Sequence, residues 1–173
     1  MKALVNARIY DYVNYINHGY VLFDTQIIEV GSMEDFHGAD EVIDCCGSIL
    51  MPGLTNCHTH IYSTFARGMN LYFNPRSFMD ILEQLWWKLD KQLDQSAVYS
   101  SAISYGIDCL SNGVTSIIDH HASGLCIEGS LETLHEAISK KLGMRGIYCF
   151  ETSDRFPLEE CLQENMSFAA NCS

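Results

Sequence analysis

The sequence contains no long hydrophobic run and no cluster of positive charge. No apolar stretch approaches the ~18 residues that a membrane-spanning helix needs, so no membrane association is expected. Ten Lys and Arg residues against 22 Asp and Glu residues give a formal net charge of −12, and Lys140–Lys141 is the longest run of basic residues. Because nucleic-acid binding depends on basic patches that neutralise phosphates, we expect no nucleic-acid partner.

Cysteine is plentiful, but the eight residues do not have the placement of a disulfide scaffold. They are scattered from Cys45 to Cys172 without a Cys-x-x-Cys pair, and Met1–Leu4 does not begin a secretory segment. We therefore predict a cytoplasmic protein whose thiols are reduced and mostly buried as small hydrophobic side chains.

Residues 1–52 are predicted to form a β-rich segment. The runs Gly19–Phe23 and Gln26–Gly31 flank a turn at Asp24–Thr25, which is typical of a β-hairpin. Two further short strands are predicted at Glu41–Asp44 and Ser48–Met51. Taken alone, the pattern indicates a set of short antiparallel strands.

Residues 53–173 have a different pattern, in which strands and helices alternate. Ser77 is predicted to cap a helix in a capping box with Asp80. Apolar residues then recur at helical spacing, at Phe78, Ile81, Leu82, Leu85 and Leu89. The other predicted elements, in chain order, are a helix at about Ser96–Leu110, a strand at Val114–Asp119, a helix capped by Ser130, a strand at Met144–Phe150 and a helix that begins at Pro157.

This alternation predicts the α/β class, with right-handed parallel βαβ units. Three strand–helix units do not close a barrel, and the first and third strands would remain as open edges. We expect such edges to be covered by a second copy of the chain or by a complementing chain.

The segment Ile49–His60 is the most informative part of the sequence. A short apolar strand is followed by Pro52–Gly53 and by a second strand that ends in His58-Thr59-His60. Side chains alternate along a strand, so His58 and His60 are expected on one face with Thr59 on the other. Two imidazoles placed in this way can bind one metal ion.

The whole string Pro52–His60, with its continuation Ser63–Met69, resembles the signature of the amidohydrolase superfamily. In that family the Pro-Gly-Leu-x-Asn-x-His-Thr-His segment forms the first strand of a metal-dependent (β/α)8 barrel. The match is most similar to the aminohydrolase/chlorohydrolase branch and, within it, to aminohydrolases associated with selenium metabolism. The resemblance implies that residues 1–52 are part of a β-sandwich and that residues 53–173 are the first three β/α units of a TIM barrel. The barrel would be incomplete, since a full one needs about 250 residues.

The resemblance also implies that His58 and His60 are two ligands of one divalent metal ion, with Zn²⁺ favoured and Fe²⁺ possible. Its further ligands come from later strands of the family's barrel, so no catalytic set is complete in this chain. In the complete enzyme the metal ion would lower the pKa of a bound water to near ~7. The resulting hydroxide would attack a carbon that bears an amino or chloro group, commonly on a nitrogen heterocycle.

Two further residues are candidates for contact with such a small-molecule substrate. Arg67 follows the histidine strand within one short loop and could meet an anionic or carbonyl group, although a structural loop arginine is an equal alternative. The second strand ends in Asp119-His120-His121, and the third leads into Thr152–Arg155. Polar residues at the carboxyl ends of strands are where a (β/α)8 enzyme places its site, so His120 or His121 could face the substrate.

Two hypotheses of function follow. In the first, the chain is a truncated and inactive part of a metal-dependent hydrolase that deaminates or dechlorinates its substrate, as a truncated gene product, a fragment or half of a split enzyme. In the second, it is a non-enzymatic metal-binding or interaction module that kept the strand–helix frame.

Overall fold

The computed structural model describes residues 1–171 and divides the chain into two compact units. The first unit is Met1–Pro52 and the second begins at Gly53. Both strands and helices are present, which confirms the predicted α/β class. Within the described part of the chain, none of the helices combines the length and apolar character that crossing a bilayer requires.

The first unit is a five-stranded sheet that mixes parallel and antiparallel pairing. The strands are β1 (Lys2–Tyr10), β2 (Tyr15–Phe23), β3 (Ile27–Ser32), β4 (Glu41–Asp44) and β5 (Ile49–Leu50), with a 3₁₀ helix at Met33–Asp35. The sheet order is β3-β2-β1-β4, and β5 pairs with β1 further along that strand. The β1–β2 and β2–β3 pairs are antiparallel, as expected for the predicted hairpin. However, β4 and β5 run parallel to β1, so the prediction of an all-antiparallel set is wrong.

The second unit contains a three-stranded parallel sheet flanked by helices. The strands β6 (Leu54–Thr59), β7 (Val114–His121) and β8 (Arg145–Phe150) lie in the order β6-β7-β8. The helices are α1 (Phe78–Ile81), α2 (Trp87–Asp90), α3 (Gln95–Ser111), α4 (Ser130–His135) and α5 (Leu158–Asn171), with a 3₁₀ helix at Ile61–Ala66. Two π-helical turns, Leu82–Trp86 and Glu136–Lys141, join α1 to α2 and extend α4.

The core of this unit lies on one face of the sheet, where the helices pack. Ile117 on β7 and Tyr148 and Phe150 on β8 are buried there with apolar residues of α3 and α4. The residues that alternate with them, Ile118 and Ile147, are 37% and 65% exposed. The sheet therefore has a covered face and an open face, and its side chains divide between them with the two-residue period of a strand.

Local signals set the ends of the helices that precede β7. The Ser77 side chain accepts a hydrogen bond from the backbone amide of Asp80, which confirms the predicted cap. Asp94 caps α3 through the amide of Ala97, and the helix begins at Gln95, one residue before the predicted start. The chain leaves α3 at Gly113, whose φ of +76° is a conformation that favours glycine.

The cap of α4 differs from the prediction. Ser130 is the first residue inside this helix, and the cap position is Gly129, which has a φ of +77° and no side chain to accept a bond. The carboxylate of Glu164 on α5 accepts instead, from the amides of Gly129 and Leu131 at 2.8 Å each. A buried acceptor 33 residues away along the chain therefore takes the capping role that the sequence predicts for Ser130.

Replacing Glu164 by Ala is expected to lower the free energy of unfolding by about 2 kcal/mol, because the buried amide of Leu131 and the partly buried amide of Gly129 lose their acceptor. Glu164→Gln keeps one acceptor oxygen and is expected to lose less than half as much. The measurement is urea unfolding, with the exposed Glu160→Ala on the same helix as the matched control. Equal losses for Glu164→Ala and Glu160→Ala would contradict the capping role.

The cysteines are less buried than predicted. All seven within residues 1–171 are free thiols. Only Cys109 and Cys161 are buried, so the prediction that most of them fill the core is wrong for the described residues. The eighth, Cys172, lies outside the described residues.

Candidate metal centre

The end of β6 is held from the helix side by one tyrosine. The Tyr105 hydroxyl on α3 accepts hydrogen bonds from Asn56 Nδ2 at 2.7 Å and from Thr59 Oγ1 at 2.8 Å. Asn56 pairs with Ile117 and Thr59 with Asp119, so β6 has one more residue between these pairs than β7 has. Such an irregularity bends a strand and re-aims its side chains. It contains Cys57 and His58, so it falls within the His-x-His end of β6.

His58 and His60 lie beside each other where β6 ends. Thr59 between them is buried against Tyr105, whereas His58 is exposed and His60 is half-buried. The centroids of the two rings are 5.1 Å apart, with an angle of 88° between their planes. The structure therefore brings together the two histidines that the sequence predicted as metal ligands.

The hydrogen bond that His60 makes defines which of its nitrogens is available. His60 Nδ1 is 2.8 Å from the backbone oxygen of His120. A carbonyl oxygen can only accept, so Nδ1 carries the proton of the neutral ring and Nε2 keeps its lone pair. An imidazole whose other nitrogen donates to a carbonyl is the usual state of a metal-binding histidine. His60 thus fits a metal ion at Nε2.

His120 lies next to His60 on the neighbouring strand. Their ring centroids are 5.5 Å apart, and the His120 side chain is exposed. Loss of hydration where the ring meets the protein, and then the nearby His60, lower the pKa of His120, which favours the neutral imidazole. Although three imidazoles are neighbours here, no group of three or more His, Cys, Asp or Glu side chains within residues 1–171 is arranged to hold a metal ion.

Arg67 is engaged in an ion pair with a helix. Its Nη2 is 2.8 Å from Asp108 Oδ2 on α3, and the two side chains are 62% and 54% exposed. The pair ties the loop after β6 to α3. A substrate role for Arg67 stays a prediction, and it would require the guanidinium to leave or share this carboxylate.

His121 is placed in the core. It is fully buried, with its Nε2 3.0 Å from the Ser123 hydroxyl and its ring 5.9 Å from Tyr62 and 5.8 Å from Phe150. Burial lowers the pKa of His121 to about 3, so the ring is neutral at pH 7. The alternation along β7 could have predicted this burial, because His121 lies four residues after Ile117 and therefore on the same, buried face of the strand.

Asp119 is a buried acidic residue that contacts the backbone directly after the histidine pair. Its carboxylate is 1% exposed, and Oδ1 accepts a 2.7 Å hydrogen bond from the backbone amide of Ile61, the residue after His60. Burial raises the pKa of Asp119 to about 7, and the bond from Ile61 opposes that shift. Oδ2 has no partner among the described residues.

The polar residues after β8 form an internal network. Arg155 Nη2 is 2.6 Å from Asp90 Oδ2, and Arg155 Nη1 is 3.1 Å from each oxygen of Glu151. The guanidinium also stacks on Trp87, 4.8 Å from the ring centroid. The sequence indicates Arg155 as a polar residue after the third strand but gives no signal for its pairing with Asp90, because the two are 65 residues apart.

A sequence model of the Amidohydrolase family matches residues 49–171. The match covers most of the chain, including β6, β7 and β8, and the chain therefore belongs to the amidohydrolase family.

Curated relatives of this chain are named deaminases. It is 35% identical over 103 residues to the 5'-deoxyadenosine deaminase of Methanosarcina acetivorans, covering 60% of this chain and 23% of the relative. It is 30% identical over 149 residues to a 5-methylthioadenosine/S-adenosylhomocysteine deaminase of Bacillus cereus, covering 80% of this chain and 32% of the relative. The chain thus spans about a third or less of the length of these two relatives.

Solved structures share its fold. The atrazine chlorohydrolase TrzN from Arthrobacter aurescens, solved in complex with zinc, superposes with a TM-score of 0.81 at 20% identity. The comparison covers all of this chain and 43% of that enzyme. Escherichia coli guanine deaminase superposes with a TM-score of 0.71 at 14% identity, over 98% of this chain and 43% of that protein.

Proposed function

We propose that this chain supplies two metal ligands, His58 and His60, to a metal-dependent hydrolase of the amidohydrolase family. The observation that carries the proposal is the Nδ1–H bond from His60 to the His120 carbonyl, which leaves Nε2 available beside the His58 ring. One divalent ion is proposed, with zinc favoured because imidazole suits it and the neighbouring chlorohydrolase was solved with zinc. Iron is the alternative.

A divalent metal ion at this position supplies Lewis acidity and a water molecule that is activated near neutral pH. The residues of this chain would bind the metal ion and hold its ligands in the required orientation. The Tyr105 hydroxyl holds the strand that carries His58 and His60, and the His120 carbonyl fixes the ring of His60. His120 itself projects from the open face beside them, where a substrate ring could be contacted by its neutral imidazole.

The substrate class we propose is a nitrogen heterocycle with an amino or chloro leaving group. The support is the names of the relatives, which are adenosine-type deaminases, and of the structural neighbours, which are a triazine chlorohydrolase and a guanine deaminase. His120 and Arg67 are the proposed substrate contacts. Hydrolytic deamination is favoured over dechlorination, because the sequence relatives are deaminases.

We further propose that the unit from Gly53 onward corresponds to the first three β/α units of a TIM barrel, and Met1–Pro52 to part of a β-sandwich. A catalytic zinc site needs at least three protein ligands, and no group of three or more candidate ligand side chains is arranged for a metal ion within residues 1–171. The other ligands would come from the strands that follow the third one in the family's barrel, whether these belong to the same protein or to a complementing chain. The 173-residue chain alone is therefore proposed to be inactive, and its free thiols favour a cytoplasmic location. No particular observation favours the alternative of a non-enzymatic module.

The test is zinc binding by the chain. We expect one weakly bound ion, and His60→Ala is expected to reduce the affinity by at least ~100-fold, since losing a ligand exceeds the 10- to 100-fold cost of losing an outer-shell partner. His37→Ala, an exposed histidine of the first unit, is the control and should not change binding. The same affinity for wild type and His60→Ala would refute the metal assignment. Ammonia release from 5'-deoxyadenosine by the chain alone would refute the proposed inactivity.

A further inference from the structure

Two hydrogen bonds connect the end of β6 with the end of β7 in a reciprocal way. The side chain of His60 donates to the backbone oxygen of His120, at 2.8 Å. The backbone amide of the next residue, Ile61, donates to the side chain of Asp119, at 2.7 Å. Each strand end thus contributes one side chain and one backbone group. The two bonds fix both the ring of His60 and the backbone that follows it.

These two bonds lie where the regular pairing between β6 and β7 is interrupted and then ends. The extra residue of β6 between the Asn56–Ile117 and Thr59–Asp119 pairs interrupts the regular register before His60. Beyond Thr59 the chain turns into the 3₁₀ helix Ile61–Ala66, and the cap of that helix at His60 has no side-chain hydrogen bond from its own residue. The Asp119 carboxylate satisfies the first free amide of this helix from the neighbouring strand.

The burial of Asp119 argues that its carboxylate does more than stabilise the fold. With 1% exposure and an unpartnered Oδ2 among the described residues, its charged form loses hydration and recovers one hydrogen bond. A well-packed apolar side chain would avoid that cost. What an apolar side chain cannot do is accept from Ile61 and hold the turn after His60.

We propose that Asp119 is a positioning residue for the metal-binding histidine His60. By accepting from the Ile61 amide it sets the backbone at His60, so that Nδ1–H reaches the His120 carbonyl and Nε2 is presented on the open face. The inference rests on the proposed metal site, but its first consequence, the tautomer of His60, exists in the metal-free chain.

The experiment compares Asp119→Leu, Asp119→Asn and the wild type by ¹⁵N NMR of the histidine rings and by Co²⁺ titration. In the wild type without metal, His60 is expected to be the Nδ1–H tautomer, and the Ile61 amide proton is expected downfield. Asp119→Leu should give a mixture of His60 tautomers and a 10- to 100-fold weaker Co²⁺ affinity, the range found for outer-shell partners. Asp119→Asn keeps an acceptor oxygen and should restore both properties to near wild type. Ser101→Ala is the control, because it removes a fully buried polar group at a different place, on α3. It should change neither the His60 tautomer nor the Co²⁺ affinity.

The outcomes separate this inference from the proposed function. Unchanged His60 tautomer and Co²⁺ affinity in Asp119→Leu would overturn the positioning role while leaving the metal site intact. If the wild type bound no Co²⁺, the metal proposal would fail, and the NMR comparison would still decide whether Asp119 sets the tautomer. If Asp119→Leu does not fold, Asp119→Ala replaces it, and an Asp119→Asn variant as impaired as Asp119→Ala would also contradict the role of the acceptor.

Discussion

Replacing Arg155 by Met is expected to lower the free energy of unfolding by about 3–5 kcal/mol, one of the largest effects of any single substitution in this chain. Asp90 is fully buried, and its Oδ2 accepts from Arg155 Nη2 at 2.6 Å, while Oδ1 has no partner among the described residues. Burial already raises the pKa of Asp90, and the adjacent guanidinium is what opposes that shift. Without Arg155 the carboxylate is left buried and uncompensated.

A double variant distinguishes the cost of removing the whole Asp90–Arg155 ion pair from the cost of leaving Asp90 without its partner. The double variant Asp90→Leu/Arg155→Met removes both charges of the buried pair and is expected to recover most of the loss that the unpaired Asp90 causes, since an apolar pair of similar volume can replace a buried ion pair. The bonds from Arg155 to Glu151 are absent from both variants. Arg67→Met breaks an arginine–aspartate pair whose members are 62% and 54% exposed, so it should lose less than about 1 kcal/mol. Urea unfolding followed by tryptophan fluorescence measures all three, because Trp86 and Trp87 both lie in the second unit. A loss for Arg155→Met no larger than that for Arg67→Met would contradict the assigned role of the buried pair.

The Asp90–Arg155 pair connects the segment that follows β6 with the loop that follows β8. Asp90 ends α2, and its backbone oxygen also accepts from the amide of Gly124 in the loop after β7, at 2.8 Å. Arg155 belongs to the loop after β8 and is further held by Glu151. The three loops at the carboxyl end of the sheet are therefore joined by one buried residue. This is the end of the sheet that carries His58, His60 and His120.

Features determined by nearby residues were predictable from the sequence. The Ser77 cap and the end of α3 before Gly113 depend on groups within four residues of each other, and their residue types indicate them. The His-x-His pair was found for the same reason, because strand alternation over three residues places both rings together. Family resemblance added the chemistry that alternation alone does not give.

Features determined by distant residues were not predictable. Glu164 replaced Ser130 as the acceptor at α4 because a helix more than 30 residues away packs against that end. The parallel pairing of β4 and β5 with β1 depends on where the chain returns, which short-range patterns do not encode. The Asp119–Ile61 bond likewise joins two strand ends 58 residues apart. In each case the local residue types are compatible with several hydrogen-bond or strand partners, and the tertiary packing determines which one is used.

Asp119 and His121 are expected to give the stability of the second unit two opposite dependences on pH. The folded pKa of Asp119 is raised to about 7 from an unfolded value of about 3.9, so its contribution is fully present below pH ~4 and is lost as the pH rises to 7. The folded pKa of His121 is lowered to about 3 from about 6.5, so its contribution is present above pH ~6.5 and is lost as the pH falls toward 3. Between pH 4 and 7 each amounts to about 3 kcal/mol, with opposite sign.

Single variants should reveal these dependences, because in the wild type the two largely cancel. Relative to wild type, Asp119→Asn is expected to gain about 3 kcal/mol of unfolding free energy between pH 4 and pH 7, since it no longer loses stability as the pH rises. His121→Phe is expected to lose about 3 kcal/mol over the same change, relative to wild type. Phenylalanine suits that site, which is walled by the rings of Tyr62 and Phe150, and Ser123 keeps its bond to the Cys126 oxygen.

The measurement is urea unfolding at pH 4, 5, 6 and 7 with a chelator present, again followed by tryptophan fluorescence. Ser101→Ala is the control, because it removes a buried polar group that does not titrate and should shift the stability equally at every pH. Parallel curves for wild type and Asp119→Asn would mean that the carboxyl titrates near its unfolded value despite its burial. That result would place solvent or a cation beside Oδ2, and it would make Asp119 a charged neighbour of the histidine pair at neutral pH rather than a half-protonated one.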